Sequence, residues 1–334
     1  MKKIFVTGGA GYIGAILVPK LLQKGYKVKV FDLYTYGRDV FDGITDRSRL
    51  EEVEGDICDE NLLRQAVPGS DVVIHLACIS NDPTFALNPV LSRRVNFDAF
   101  EPLVTIAKQS GVRRFIYAST CSVYGVSDAP EVTEDHPLVP LTDYNKYKGL
   151  CEPVLLEYQS KNFVPVIIRP ATVCGYSPRQ RFDLTVNILT NHAYNRGKIT
   201  VFGGRQERPN IHIEDITDLY VQLLELPDEK IAGRTYNAGF ENRKVSDLAE
   251  LVATVFAKEL PEQVRPTIET QPSEDIRSYR ISSKKIREEL GFIPQHTIED
   301  AVRDLIAAFQ IGKFDDPLNN PRYYNIKTLK GQGF

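Results

Sequence analysis

Tyr144 and Lys148 lie four residues apart in the stretch Tyr144-Asn145-Lys146-Tyr147-Lys148. On a helix that spacing puts both side chains on one face. A lysine ammonium close to a phenol favours the phenolate and lowers the tyrosine pKa. Such a tyrosine can take a proton from a hydroxyl near neutral pH. The same spacing also arises often by chance on helix surfaces with no chemistry. Tyr147 is a weaker candidate, because its neighbour Lys148 points to another face. A group of hydroxyls stands at Ser119-Thr120-Cys121-Ser122, where one could hydrogen-bond the oxygen that the tyrosine deprotonates. The stretch Thr7-Gly8-Gly9-Ala10-Gly11-Tyr12-Ile13-Gly14 suggests a second kind of chemistry. Glycines let a backbone approach a pyrophosphate, and the free N–H groups of a following helix attract it. Asp32 follows at about the 20-residue distance at which a carboxylate holds the adenosine ribose hydroxyls and repels a 2′-phosphate. That favours NAD over NADP.

These groups need elements to hold them. Lys3 to Val6 reads as a buried strand and Ala15 to Leu22 as a helix, so the glycines fall in a strand–turn–helix context. Lys27 to Phe31 is a second strand and Glu51 to Ile57 a third with its exit. Asp59 to Val67 reads as a helix with Asp59 as N-cap. Asp71 to Ala77 is nearly all apolar, as a parallel strand covered on both faces should be. Val90 to Ser110 shows helical spacing. Arg113 to Ser119 is a fifth strand, Asp143 to Gln159 a helix that Pro153 should kink or delay, and Val164 to Ile168 a sixth strand. This alternation predicts an α/β fold, a Rossmann-type doubly wound parallel sheet, with ligands beyond the carboxyl ends of the strands. After residue 170 the rhythm loosens. Helices are expected at Leu184 to Arg196, Asp215 to Leu226, Ser246 to Ala257 with Ser246 as N-cap, and Glu299 to Gln310. Gly233 to Asn237 offers a strand returning to the sheet. The expected division is a nucleotide-binding domain over 1–170 with returning segments around 210–240, a smaller interleaved substrate lobe over 171–310, and a loose polar tail over 311–334.

Composition narrows the class. The 334 residues are 42% hydrophobic and 25% charged, with a net charge of −3, which gives no basic footprint for nucleic acid. No apolar run approaches the roughly 20 residues of a membrane helix. The chain enters a core strand at once, so no signal peptide is expected. The five cysteines (Cys58, Cys78, Cys121, Cys151, Cys174) form no CxxC pair and read as reduced thiols of a cytoplasmic protein. The five histidines are dispersed, so no metal site is expected.

Over roughly residues 3–310 the chain resembles the extended short-chain dehydrogenases/reductases that modify nucleotide sugars, the NAD-dependent epimerase/dehydratase family. The marks begin with the Thr7–Gly14 turn, Gly55-Asp56-Ile57, His75-Leu76-Ala77 and Val95-Asn96. They continue with Ser119-Thr120-x-x-Val123-Tyr124-Gly125, Tyr144-x-x-x-Lys148, Arg169-Pro170 and His212-Ile213-Glu214-Asp215. Asp275-Ile276-Arg277-Ser278-Tyr279, Lys284 and Leu290-Gly291-Phe292 complete them. The resemblance implies that Gly8, Gly11, Tyr12 and Ile13 wrap the pyrophosphate of NAD, Asp32 holds its ribose, and Asp56 and Ile57 flank the adenine. It places Leu76, Ala77 and Asn96 in the middle of the cleft and Pro170 and Val173 by the nicotinamide. Lys148 would bond the nicotinamide ribose as well as tune Tyr144, and Thr120 would be the hydroxyl partner of Tyr144. Arg208 and Arg277 would bind the nucleotide diphosphate, whose oxygens suit an arginine fork. Homodimers of the family pair the helix around Val90–Ser110 with the one beginning near Tyr144.

Departures from the family pattern narrow the reaction. Its 4,6-dehydratases carry an Asp-Glu pair directly after the active-site threonine. Cys121 and Ser122 stand there and form no strong acid/base pair for eliminating water. Many of its epimerases have asparagine where Thr172 stands. The run Ala171 to Asn187 is similar to a branch that includes GDP-heptose 4-dehydrogenases and uncharacterised epimerases. Thr172 and Asn187 are counted with the substrate site. Arg179 and Arg181 either add positive charge near a substrate phosphate or pair with Asp183. The reading is an NAD-dependent nucleotide-sugar 4-epimerase that transiently oxidises a sugar hydroxyl with Tyr144 as base. The alternative with net redox is a 4-dehydrogenase or reductase, for example on a GDP-heptose, and the non-catalytic alternative an NAD-binding sensor or scaffold.

Overall fold

Six strands appear where the hydrophobic runs predict them: β1 (Lys3–Thr7), β2 (Lys27–Asp32), β3 (Leu50–Glu54), β4 (Val72–His75), β5 (Arg114–Ala118) and β6 (Val164–Pro170). The computed structural model describes residues 2–273 and 277–333. The expected return strand is Arg234–Ala238, parallel to β6. All seven form one sheet in the order Arg234–Ala238, β6, β5, β4, β1, β2, β3. Each pairing in it is parallel. The chain moves outward from β1 to β3, then crosses back to β4. Strand order therefore reverses between β1 and β4, and a crevice opens beyond their carboxyl ends.

Side chains of a strand alternate between the two faces of a sheet, and β1 shows it. Ile4 and Val6 join a core with Leu17, Val18 and Leu21 of α1 (Gly14–Gln23). Phe5 points the other way. It packs with Phe31, Val73 and Phe115, and with Leu103 and Val104 of the Phe100–Gln109 helix. The remaining helices of this half are α2 (Glu60–Ala66), α3 (Asp82–Phe85), α4 (Pro89–Arg93), α5 (Phe100–Gln109) and α6 (Asp143–Glu157). Asp59 caps α2 as expected, accepting from the amide of Leu62 at 3.0 Å.

Four expectations need correction. The helix predicted over Val90–Ser110 is broken into α4, a wide π turn over Arg94–Asp98, and α5. Pro102 has no N–H for the carbonyl of Asp98, where the wide turn ends. Pro153 does not interrupt α6, which runs from Asp143 to Glu157 as one helix. The Ser246 cap is not formed. The helix begins at Val245 after Lys244, and the amide of Ser246 donates instead to the carbonyl of Gly204.

The fourth correction is the tail. The described residues beyond Gly312 are not loose. Phe314, Tyr323 and Tyr324 pack with Phe182 in a core cluster, and a helix follows at Asn325–Gly331. Those aromatics offered a signal, but their spacing matches neither a helix nor a strand, so periodicity missed it. The second half is otherwise built from the helices Thr185–Arg196, Val245–Glu259 and Ile298–Gln310. Val186, Leu189, Leu248, Val252, Val302 and Ile306 fill their common core. Two small sheets join them, one with strands Thr172–Cys174, Glu207–His212 and Glu241–Lys244, the other pairing Lys198–Phe202 with Thr267–Gln271.

Candidate active site

Two glycines shape the turn after β1. Gly8 has a φ of +68°, and a Cβ there would lie 2.6 Å from the amide nitrogen of Ala77. A Cβ on Gly14 would lie 2.3 Å from the carbonyl oxygen of Gly9. Only missing side chains let the turn close on the loop after β4 and let α1 start directly beneath it. Gly11, Tyr12, Ile13 and Gly14 line the crevice, so the positive end of α1 opens into it.

At the end of β2, Asp32 accepts the amides of Ala10 (2.9 Å) and Tyr34 (2.8 Å), one on each carboxylate oxygen. Burial raises its pKa while those amides pull the other way. Each oxygen keeps a second acceptor site, which suits the paired hydroxyls of a ribose. Across the crevice floor the hydroxyl of Thr7 and Nδ1 of His75 share a hydrogen bond of 2.7 Å. That bond ties β1 to β4 at the point where strand order reverses.

A cavity of about 380 Å³ runs along these strand ends, within the ordinary size of a ligand site. Gly8, Gly11, Tyr12, Ile13, Asp32, Asp56, Ile57, Leu76, Ala77, Thr120, Tyr144, Lys148, Pro170, Thr172, Val173, Arg179, Arg181 and Arg277 all line it. The side chains at one end are hydroxyl, phenol and ammonium. Glycines and Asp32 mark the other. Those donor sets fit a dinucleotide lying across the switch point.

Tyr144 stands in the first turn of α6, whose N-cap Thr142 accepts from the amide of Asn145 at 3.4 Å. Lys148 follows one turn later and is 3% exposed. Its ammonium donates to the carbonyl of Ala118 at the end of β5 and lies 4.5 Å from the ring centroid of Tyr117. The expectation that Lys148 lowers the pKa of Tyr144 is therefore corrected. Burial pushes the Tyr144 phenol well up, the charges of Cys78 and Asp82 add to that, and Arg181 is the cation that opposes them. Tyr147 stacks on Phe85 at 5.7 Å and packs on Phe97 at 5.5 Å, a packing role.

Thr120 caps the short turn Cys121–Tyr124. Its hydroxyl hydrogen-bonds that of Ser122 at 2.6 Å, and Ser122 also lines the cavity. Cys121 is fully buried, and its thiol donates to the carbonyl of Arg169 at 2.8 Å. Behind the turn, Arg169 and Glu152 form a two-point ion pair at 3.0 and 2.6 Å. The hydroxyl of Ser119 donates to the same carboxylate at 2.6 Å. This buried network fixes the ends of β5 and β6 and the middle of α6 relative to one another.

Several expected site residues have other work. Asn96 does not line the cavity. Its amide accepts from the N–H of Ile79 (2.8 Å) and donates to its carbonyl (2.9 Å), holding the loop after β4. Asn187 is fully buried, and its side chain accepts from the amide of Gly175 (3.1 Å) and donates to Tyr12 (3.0 Å) and the carbonyl of Arg181 (2.9 Å). Both of its N–H donors are used, and it does not line the cavity. Tyr12 in turn donates to the carbonyl of Gly175 at 2.7 Å, so its phenol joins the glycine turn to the second half. Arg208 lies outside the lining, with its guanidinium on the carbonyl of Arg277. Arg277 does line the cavity and pairs with Asp82. Arg181 pairs with Asp183 at 2.9 and 3.2 Å. Asp275 and Ile276 lie outside the described residues.

Other lining residues were missed by the sequence reading. Thr35 and Tyr36 follow Asp32 directly, and their place between a strand and Gly37 was an available signal. Asn81 and Asp82 come from the loop after β4. Asn81 has a φ of +71°, and its side chain caps α3, accepting from the amide of Thr84 at 3.0 Å. Asn-Asp-Pro is a cap signature. Asn325 and Leu329 come from the C-terminal helix, and no local pattern announces them.

The model of the family described as "NAD dependent epimerase/dehydratase family" matches residues 4–239. A dTDP-glucose 4,6-dehydratase of Streptomyces niveus is 27% identical over 96% of this chain and 96% of its own length. A UDP-glucose 4-epimerase of Corynebacterium glutamicum is 28% identical over 90% of this chain and 94% of its own. The solved structure of MoeE5 with UDP-glucuronic acid and NAD is 25% identical, superposes with a TM-score of 0.78, and covers 92% of this chain and 99% of its own. The glycine turn with Asp32 and the seven-stranded sheet agree with these matches. The chain is thus a member of the NAD-dependent epimerase/dehydratase family, an enzyme of the extended short-chain dehydrogenase/reductase type whose cofactor is NAD.

Proposed function

We propose that the protein is a nucleotide-sugar 4-epimerase. Its cavity gathers Thr120, Tyr144 and Lys148 with the glycine turn and Asp32. When bound, NAD supplies the redox chemistry, taking two electrons from a carbinol carbon and giving them back, and in its oxidised form it brings a positive charge. In the proposed reaction Tyr144 accepts the proton of the sugar hydroxyl at C4. Thr120 hydrogen-bonds that oxygen and fixes its direction. Arg181 favours the phenolate that burial disfavours, and Lys148 is kept for the nicotinamide ribose. Once the keto sugar has turned, its carbonyl carbon would take the hydride back on its other face, which would invert C4, while Tyr144 returns the proton to the oxygen.

The observation that carries epimerisation over loss of water is the pair of positions after Thr120. Cys121 is buried with its thiol on a backbone carbonyl, and Ser122 is a hydroxyl. Elimination needs an acid for the leaving hydroxyl and a base for the carbon proton. Neither residue supplies one, and the nearby Asp82 is engaged by Arg277 and Thr142. Among the names of the relatives, UDP-glucose 4-epimerase fits this site better than dTDP-glucose 4,6-dehydratase.

Incubation with UDP-, dTDP- and GDP-hexoses should convert one of them to its C4 epimer with no net NADH. Accumulation of a keto sugar with stoichiometric NADH would show the 4-dehydrogenase reaction instead. We also propose a homodimer paired through α5 and α6.

A further inference from the structure

Arg179 is 3% exposed and lines the cavity, yet it makes no ion pair among the described residues. A buried guanidinium without a carboxylate is unfavourable unless an anion meets it. Its five N–H donors are only partly used. One terminal nitrogen donates to the carbonyl of Gln180 at 3.1 Å, and the other to the side-chain oxygen of Asn325. Nε has no partner and is buried. The guanidinium carbon lies 3.6 Å from the ring centroid of Tyr36, in the segment that follows Asp32. Its charge is felt by Asp32 and by Tyr12 of the glycine turn. Burial brings its pKa down to about 10, which still leaves it charged at neutral pH.

Arg179 therefore lies close to the Asp32 end of the cavity and to the glycine turn. Arg181 beside it is neutralised by Asp183, so Arg179 supplies the excess positive charge. Asn325 holds it in place and is held in turn. The Asn325 side chain donates to the hydroxyl of Ser80 at 2.8 Å, and its amide donates to Asp183 at 3.2 Å. The rest of the C-terminal segment is fastened across the same edge. Arg322 pairs with Asp39 at 2.8 Å, and Gln332 donates to the carbonyl of Thr35 at 3.3 Å.

We infer that Arg179 is a ligand to the phosphates of the dinucleotide, and that the C-terminal helix, through Asn325, is part of the cofactor site. This moves Arg179 from the expected substrate role to the cofactor. The arginine would close on the pyrophosphate from the side opposite the α1 amides, with Asn325 as the positioning residue.

Calorimetric titration of the full chain with NAD, ADP-ribose and adenosine, without any sugar nucleotide, tests the assignment independently of the reaction. Arg179→Gln should weaken NAD and ADP-ribose alike by roughly tenfold or more, the loss of a charge-assisted hydrogen bond to phosphate. Adenosine, which has no phosphate, should bind as to the wild type. Asn325→Ala should weaken the same two ligands by a smaller factor and also spare adenosine. Equal weakening of all three ligands in both variants would mean a structural role and overturn the inference. Unchanged NAD binding would overturn it too, as would an intact NAD affinity with a raised KM for the sugar nucleotide.

Discussion

At the scale of single residues the chemistry depends on Tyr144, and its surroundings set a problem. A phenol set into the cavity wall away from bulk water resists ionisation, and the nearby charges of Cys78 and Asp82 increase that resistance. Lys148 spends its ammonium on the carbonyl of Ala118, so a lysine one helical turn away is not by itself enough to activate the tyrosine. Arg181 adds the missing positive field, moderated by its pairing with Asp183. Under the proposed mechanism, Tyr144→Phe removes the proton acceptor and little else. Turnover should fall by about 10²- to 10⁴-fold, the usual worth of a positioned acid or base. NAD content after purification should stay at the wild-type level. Turnover equal to the wild type would remove Tyr144 from the mechanism. The spacing of Tyr144 and Lys148 made both legible in the sequence. The same reading erred on Asn96 and Asn187, because an amide that binds a ligand and one that ties two backbone segments look alike in one dimension.

At the scale of elements, the join between β1 and β4 carries the crevice, and it contains a titratable group. His75 is buried, bonded to Thr7, and stacked on Tyr117 at 5.7 Å between ring centroids. Burial, with a contribution from Lys148, brings its pKa down to about 3. The unfolded chain therefore binds a proton at this site below about pH 6.5 that the folded chain does not. The contribution is fully present above that pH and is lost as pH falls toward 3. Between pH 7 and pH 5 the loss amounts to about 2 kcal/mol. Urea melts at the two pH values should show the wild type losing that much more than His75→Asn. Equal losses would mean that His75 is not held neutral. The strands themselves were readable because both faces of a parallel sheet are covered, which makes them continuous apolar runs. The π turn at Arg94–Asp98 and the packed C-terminal segment were not: beyond the local signal of Pro102, the turn also meets the loop after β4, and the C-terminal segment depends on partners distant in sequence. Asn96 meets Ile79, and Tyr323 and Tyr324 pack with Phe182.

At the scale of the whole molecule, α6 has two unlike sides. Its buried side presents Lys148 and Glu152 toward β5 and β6, and its outer side carries Leu150, which is 41% exposed. A groove between α6 and the π turn with the start of α5 is lined by Phe97, Phe100 and Val154, with the carboxylates Asp98 and Glu101 at its edge. Val90 on neighbouring α4 is 80% exposed. Single exposed apolar residues are ordinary on any surface, but here two stand on neighbouring helices beside partly buried Phe97 and Val154. Two copies related by a two-fold axis would cover each other with the same patch, since such an interface is self-complementary. Burying it would also brace the helix that carries Tyr144. Sedimentation should therefore give about twice the 37.7 kDa of one chain. Leu150→Arg puts a charge where the two patches meet, so it should shift the mass toward one chain. NAD binding should persist, because Leu150 does not line the cavity. A wild-type mass of 37.7 kDa would exclude the dimer, and a dimer unaffected by Leu150→Arg would place the contact elsewhere.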